Sequence, residues 1–372
     1  MQLVLTGGGT GGHIYPAIAI AEACALEPSL APLDVLFVGT RQGLEADIVP
    51  AAGLRAAFVR AKPLERRISF GLIATVFTNL IGFLQALAVL HRARPDVLVA
   101  TGGYVAFPVV AALRCVRTLR MTRAKVALLE ANVAAGLTNR LLAPLADELW
   151  YAAAPARALR ARETVTGMPV RAALRVPMET GAARHALRLD RHLTTIVVMG
   201  GSQGAHSINE AIAGLVERGM PDGWQVALVA GSRDFPSLAQ RLDGLPGVRV
   251  LAYLDDPHAA YAAADIIVTR SGASTLAELA ATKTPAIVVP YPYATGGHQM
   301  HNARAYARGG GAVVVADAEL DATRLRAELD AALAPETLQR LRTAVQRNAS
   351  VDPTAHIVAR VKRLSSTNPS VP

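Results

Sequence analysis

Short runs of aliphatic and β-branched residues alternate along the chain with longer stretches whose apolar positions recur at helical spacing. In the first half, Gln2–Thr6, Asp34–Gly39, Arg55–Val59, Asp96–Thr101, Lys125–Glu130 and Asp147–Tyr151 read as strands. A second series follows an Arg-, Ala- and Pro-rich stretch around 155–180, with strands at Thr195–Met199, Gln225–Ala230, Val248–Ala252, Ile266–Thr269, Ala286–Pro290 and Ala312–Val315. Regular strand–helix alternation predicts parallel strands joined by helical crossovers. A chain of 372 residues also exceeds what one hydrophobic core usually organises. We therefore expect two domains, residues 1–163 and 164–350, with a C-terminal helix and tail over 351–372 that pack back on the first.

Each series opens with a glycine turn between a strand and a helix. The first is Gly7-Gly8-Gly9-Thr10-Gly11-Gly12-His13, between Leu3-Val4-Leu5 and the Ala-rich segment Ile14–Leu26. The second, Gly200-Gly201-Ser202-Gln203-Gly204-Ala205, superposes residue for residue on Gly8–His13 and sets Ala205 opposite His13. Such a turn brings bare backbone N–H groups and a helix N-terminus to a phosphate. The echo predicts an α/β chain of two Rossmann-like domains facing a cleft.

Ile68–Leu90 runs for 23 residues without a charge, flanked by Arg66, Arg67, His91, Arg92 and Arg94. Its length would span a bilayer. Thr75, Thr78, Asn79, Gly82 and Gln85 nevertheless recur at helical spacing as a weakly polar stripe, and a span here would separate strands that should share a sheet. The segment reads as a partly exposed crossover helix with basic neighbours, suited to an anionic membrane surface.

Composition adds to this picture. Hydrophobic residues make up 52% of the chain, and the formal net charge is +9, carried almost wholly by arginine, which favours anionic partners. Cys24 and Cys115 fit neither a disulfide framework nor a zinc site and point to a reducing compartment. The sequence passes from Met1 directly into a strand, so no signal peptide is expected.

A dinucleotide enzyme using NAD would want an acidic residue at the end of its second strand, where this chain has Val38-Gly39-Thr40-Arg41; an arginine there suits a 2′-phosphate better. Another glycine turn, Thr101-Gly102-Gly103-Tyr104, follows the fourth strand, at the edge where open α/β sheets bind ligands. His13 stands at a helix N-terminus, which disfavours imidazolium, so a neutral ring able to take a proton from an attacking hydroxyl is expected at about pH 7. In the second half, Arg270-Ser271-Gly272-Ala273-Ser274-Thr275-Leu276-Ala277-Glu278 offers small residues and N–H groups to a diphosphate, and Glu278 to the two hydroxyls of a ribose. Gln299 and Asn302 can read sugar hydroxyls. His298 and His301 lack a third ligand nearby, and no D-x-D motif suggests a metal-bridged diphosphate, so no metal is expected and the leaving group's charge falls to helix ends, hydroxyls and arginine.

Together these segments resemble the GT-B glycosyltransferases, and among them the transferases that add N-acetylglucosamine from its UDP donor to the lipid-linked muramyl-pentapeptide of peptidoglycan synthesis. The similarity rests on Gly8–His13, Thr101–Tyr104, the stretch 132–140 reading NVAAGLTNR, Thr166–Arg171, Gly200–Ala205, Asp255-Asp256, Arg270–Glu278 and His298-Gln299. The resemblance implies an inverting transfer to the acceptor's 4-hydroxyl with His13 as general base. It implies uracil near Leu254, ribose on Glu278, diphosphate near Ser202, Ala273, Ser274 and Thr275 with Leu276 and Ala277 alongside, and the sugar on Gln299. Thr10, Gly11, Gly12, Asn132 and Arg171 would complete the donor site, with Gly102, Gly103, Tyr104 and Glu130 on the acceptor side. It implies a peripheral enzyme on the cytoplasmic face of the bacterial inner membrane, attached through Ile68–Leu90 and flanking arginines, with no cofactor and no nucleic-acid partner. Leu129 and Ala131 depart from the family's His-Glu-Gln-Asn at 129–132, removing two polar groups expected on the site wall.

The competing readings are another GT-B enzyme, such as a diacylglycerol glycosyltransferase or a UDP-sugar epimerase, an NADP-dependent oxidoreductase using the first turn, and an inactive membrane scaffold. The second glycine turn argues against the oxidoreductase.

Overall fold

The computed structural model describes residues 1–63, 70–159, 162–201, 204–254, 256–348 and 352–366. Seven parallel strands form the first sheet: β1 (Gln2–Thr6), β2 (Asp34–Gly39), β3 (Arg55–Phe58), β4 (Val97–Ala100), β5 (Lys125–Glu130), β6 (Glu148–Tyr151) and β7 (Glu163–Val165). Their order is β3-β2-β1-β4-β5-β6-β7. Near-continuous apolar runs such as Leu98-Val99-Ala100, each residue wholly buried, are what a sheet covered on both faces requires. The helices used below are α1 (Gly11–Ala25), α2 (Glu45–Ala51), α3 (Phe70–Ala93), α4 (Ala106–Thr118) and α5 (Leu137–Leu142).

The second sheet holds β8 (Thr194–Met199), β9 (Trp224–Val229), β10 (Val248–Leu251), β11 (Ile266–Thr269), β12 (Ala286–Val288) and β13 (Ala312–Val314), in the order β10-β9-β8-β11-β12-β13 and all parallel. With it go α6 (His206–Glu217), α7 (His258–Ala263), α8 (Ala273–Thr282) and α9 (His298–Arg308). A last helix, α10 (Pro353–Ser366), buries Ile357, Val361 and Leu364, packs on α1 and sets Arg363 and Arg360 against the carboxylate of Glu148 on β6.

By its contacts the chain divides into two units, Met1–Ala172 with Asp352–Pro372, and Ala173–Val351. The division falls later than the 163/164 expected from sequence, because Glu163–Val165 pairs with β6 as the outer strand of the first sheet. That strand is three residues long and not an apolar run, so it carries little periodic signal.

Both sheets reverse their strand order beside their first strand, between β1 and β4 and between β8 and β11. At such a switch point two adjacent strands send their connections to opposite faces and leave a crevice at their C-terminal ends. Thr6 pairs with Ala100 and Met199 with Thr269, so the turns that follow these residues start side by side in each unit.

Candidate active site

In the first unit the switch point joins the two glycine turns through hydrogen bonds. Thr101 donates its N–H to the Thr6 carbonyl at 2.8 Å and its hydroxyl to the His13 carbonyl at 2.6 Å. The His13 ring returns the contact, with Nδ1 2.9 Å from the Thr101 carbonyl oxygen. A carbonyl only accepts, so in the neutral ring the proton sits on Nδ1 and the lone pair on Nε2. Gly102, at φ +105°, lies against that ring: a Cβ here would come within 2.7 Å of Nδ1. Thr10 takes the extended conformation of a helix cap, but its hydroxyl makes no capping bond to the first turn of α1.

Beneath the first turn lies a group that the sequence reading missed. Glu45, the first residue of α2, is wholly buried, and its carboxylate accepts from Gly9 N at 3.2 Å and from Thr40 N and Oγ1 at 3.0 and 2.7 Å. The signal that could have found it is its position among Gly8, Gly39 and Gly43, at each of which a Cβ would strike its side chain. The Gly9 N–H is thereby taken by protein and is not offered to a phosphate. Arg41, the residue suited to a 2′-phosphate, instead stacks over Phe58 at 5.4 Å.

Asn132 is held by Glu130. The Glu130 carboxylate is 2% exposed and accepts from Asn132 N and Nδ2, Gly136 N and Asn139 Nδ2. Glu130, expected to face the acceptor, therefore acts by shaping the 131–136 turn, since both its oxygens are committed there. Leu129 is also wholly buried within β5, so the departure at 129 falls in the core and not on a site wall. Arg171 reaches the start of α1, its guanidinium 4.4 Å above the Tyr15 ring, two residues beyond His13. Its buried Nε has no hydrogen-bond partner among the described residues. Tyr104 packs against the first core, while Gly103 sits so close to the Gly8 carbonyl that a Cβ would come within 2.3 Å of it. Cys24 on α1 is no nucleophile: burial, with a contribution from Glu27, pushes its thiol up to about 12.

In the second unit Ser202, Gln203 and Asp255 lie outside the described residues. Gly272 caps α8 in extended conformation, leaving Ala273, Ser274 and Thr275 in its partly exposed first turn. Leu276 is buried, so its side chain serves the core. Glu278 accepts from the Tyr261 hydroxyl of α7 at 2.7 Å. Leu254 packs on the cluster of Ala183, Leu187 and Ala263. Gln299 Oε1 accepts from Tyr291 N at 2.9 Å, so what the side chain can offer a ligand is its NH₂ donors. Arg270, the arginine nearest this turn, is committed: Nη1 pairs with Asp317 at 2.5 Å and Nη2 donates to Ser207 Oγ at 2.9 Å. His206, at the start of α6, leans on Asp234 at 3.2 Å. Desolvation would raise the Asp234 carboxyl, but the hydrogen bonds from Asn209 and His206 outweigh it and hold the group below the usual carboxylate range. Among the described residues no three His, Cys, Asp or Glu side chains are grouped to hold a metal.

A further surface belongs to α3, which connects β3 to β4 and packs on α4 as a crossover helix. Its polar stripe faces the chain: Asn79 brackets Lys62 N and O, Gln85 accepts from Arg60 N, Thr75 is buried, and a Cβ on Gly82 would strike the Arg60 carbonyl. The exposed face is apolar, with Ile73 66%, Phe77 65% and Leu84 57% exposed, alongside Val76 and Leu80. Gly71–Ala93 is the one helix among the described residues long and apolar enough to cross a membrane, with 17% of its most apolar window buried. Ile68, Arg66 and Arg67 lie outside the described residues.

Two parallel sheets, each with a glycine-lined switch point, and turns suited to a nucleoside diphosphate define a nucleotide-sugar transferase of the GT-B kind. The glycosyltransferase family 28 N-terminal domain matches residues 3–150, and its C-terminal domain residues 195–356. The chain belongs to glycosyltransferase family 28. It is 40% identical over 345 residues to a Desulforudis audaxviator protein named UDP-N-acetylglucosamine–N-acetylmuramyl-(pentapeptide) pyrophosphoryl-undecaprenol N-acetylglucosamine transferase, covering 89% of each chain. Among solved structures, Acinetobacter baumannii MurG matches at a TM-score of 0.74 and 23% identity over 97% of this chain and 99% of that one. The glycosyltransferase VinC in complex with dTDP matches at 0.68 and 14% identity, over 99% and 100%. Both structures share the fold.

Proposed function

We propose that the chain transfers N-acetylglucosamine from UDP-N-acetylglucosamine to the 4-hydroxyl of undecaprenyl-diphospho-N-acetylmuramyl-pentapeptide, with inversion, as a peripheral enzyme on the cytoplasmic face of the bacterial plasma membrane. The observation that carries this reading is the His13 ring, tied through Nδ1 to the Thr101 carbonyl between the glycine turns of β1 and β4. With its proton on Nδ1, the ring takes the acceptor hydroxyl's proton on Nε2 while that oxygen attacks the anomeric carbon and the bond to UDP breaks. Such a base contributes about 10²- to 10⁴-fold. The acceptor's diphosphate lies against Gly102, Gly103 and Tyr104.

The donor's diphosphate is met by the start of α8 at Ala273, Ser274 and Thr275, by Ser202, and by backbone at Thr10, Gly11 and Gly12, with Leu276 and Ala277 contributing main chain. The available arginine is Arg171 and not Arg270, because Asp317 already neutralises the latter. Leu254 lies near the uracil, Glu278 takes the ribose hydroxyls, Gln299 donates to the sugar's hydroxyl oxygens, and Asn132 completes the donor contacts. The apolar face of α3, with Arg92 and Arg94 at its end, docks on an anionic bilayer and delivers the lipid-linked acceptor.

The test is transfer of radiolabelled sugar from UDP-N-acetylglucosamine to the lipid-linked muramyl-pentapeptide, with diacylglycerol and water as alternative acceptors. Label appearing only on diacylglycerol, or free epimerised UDP-sugar without transfer, refutes the assignment.

A further inference from the structure

Two residues of α1 hold the segment that carries Arg171. Glu22 accepts the Ala172 N–H at 2.8 Å, and Tyr15, two turns earlier, lies under the Arg171 guanidinium at 4.4 Å. Residues seven apart share a helix face, so one face of α1 fixes both the backbone and the side chain. The ring is itself seated on the glycine turn: a Cβ on Gly11 would come within 3.0 Å of its Cε2. The stack therefore sets a cation beside the first turn of α1, where a helix disfavours positive charge. Arg171 forms no ion pair among the described residues, and its buried Nε has no hydrogen-bond partner. An aromatic face holds a guanidinium without neutralising it. An arginine otherwise spreads over many rotamers, and a ligand that needs one of them must bear the cost of freezing it. Here the rotamer is fixed in advance and the charge is left unspent, which is the condition a phosphate needs.

We infer that Tyr15 is a positioning residue whose ring face sets Arg171 as a preorganised cation for the donor's diphosphate. The inference rests on the assignment of Arg171 to that diphosphate. A carboxylate in the ring's place would fix the side chain equally well but would cancel its charge, as Asp317 does for Arg270 in the second unit. An aromatic prop in place of an acidic one is what separates an arginine kept for a ligand from one kept for the fold.

The experiment measures binding of UDP and of uridine to the full chain by ligand-observed NMR and follows donor KM and kcat in parallel. Tyr15→Leu, which removes the ring, should weaken UDP by about tenfold and leave uridine within about twofold. Donor KM should rise by a similar factor, with kcat changed less than about fivefold. A merely structural role would disturb the neighbouring His13 and lower kcat without telling UDP from uridine. Tyr15→Phe keeps the ring face and should stay within about threefold of the wild type for UDP. Tyr15→Met carries the same test if the leucine variant does not fold. In an Arg171→Ala background, Tyr15→Leu should weaken UDP by less than about twofold further. Equal weakening of UDP and uridine, a phenylalanine variant as impaired as the leucine one, or an undiminished loss in the Arg171→Ala background overturns the inference. Arg171→Ala alone separates the two levels of the argument. If it leaves the preference for UDP over uridine intact, the diphosphate assignment itself fails; if it lowers the preference while Tyr15→Leu preserves it, only the role of Tyr15 fails.

Discussion

The two units repeat one plan and equip it differently. In each, a glycine turn leaves the first strand at the point where strand order reverses, and a helix starts at once. The first turn carries His13 and rests on the buried carboxylate of Glu45. In the second, Ala205 occupies the corresponding position, 4% exposed and without a polar atom in its side chain, and the neighbouring histidine, His206, turns away to Asp234. The crossovers diverge in the same sense. Between β3 and β4 the chain spends the 24 residues of α3 and turns an apolar face outward; between β10 and β11 it spends the 6 of α7 and offers Tyr261 to Glu278. One duplicated frame thus carries a histidine and an exposed apolar helix face in the first unit, and side chains that bond to one another in the second; under the proposed function the first meets the lipid-linked acceptor and the second the nucleotide.

The asymmetry can be broken at several points. Replacing His13 with alanine should lower kcat by about 10²- to 10⁴-fold, whereas His206→Ala should stay within about fivefold. Comparable losses in the two variants would make the units equivalent partners in the chemistry. The glycines give a subtler contrast. Gly102 and Gly201 both have positive φ, +105° and +88°, yet only Gly102 has the His13 ring behind it, while among the described residues nothing comes within 4 Å of a Cβ at Gly201. Gly102→Ala should therefore displace the ring and cut kcat by about 100-fold, while Gly201→Ala should cost only the backbone strain, about 1–2 kcal/mol in denaturant unfolding.

On α3, Phe77→Asp together with Leu80→Asp should reduce flotation with anionic vesicles by about tenfold. Transfer to a short-chain, water-soluble acceptor should be spared. Unchanged flotation would mean that the exposed face serves something other than lipid. The smallest effect concerns Asp234, whose carboxyl is held below its unfolded value. Its stabilisation is present above the unfolded pKa and is lost as pH falls through the folded one. Asp234→Asn should cost less than about 1 kcal/mol near neutrality and nothing once the pH has fallen below the folded-state pKa.

Much of this plan is legible in the sequence, because parallel strands covered on both faces leave unbroken apolar runs that a one-dimensional pattern preserves. The internal echo of Gly8–His13 at Gly200–Ala205 likewise needs only the order of residues. What the sequence hides is direction. The stripe of Thr75, Asn79 and Gln85 is visible as a stripe, but periodicity does not say which face turns inward, and here the polar one does because the backbone of Arg60 and Lys62 needs partners. The same holds for Glu130 and Glu45: nothing in their local sequence distinguishes a carboxylate that meets a ligand from one that props up a loop. Leu129 is a similar case, since only the fold reveals that its departure falls inside the core.

The carboxylate of Glu45 and the glycines around it behave as a single lock. A methyl group at Gly8 would approach Oε1 to 2.5 Å, and one at Gly43 would approach Oε2 to 2.2 Å, so none of these positions can change while the glutamate keeps its length. Shortening it to aspartate would vacate the space and break the tie to Gly9 at the same time. Mutational tolerance here is therefore conditional: alanine at Gly43 should be rejected in the natural background and readmitted only when residue 45 is cut back. The two changes would be epistatic: with residue 45 already shortened, alanine at Gly43 should add little further cost, whereas in the natural background it meets the carboxylate.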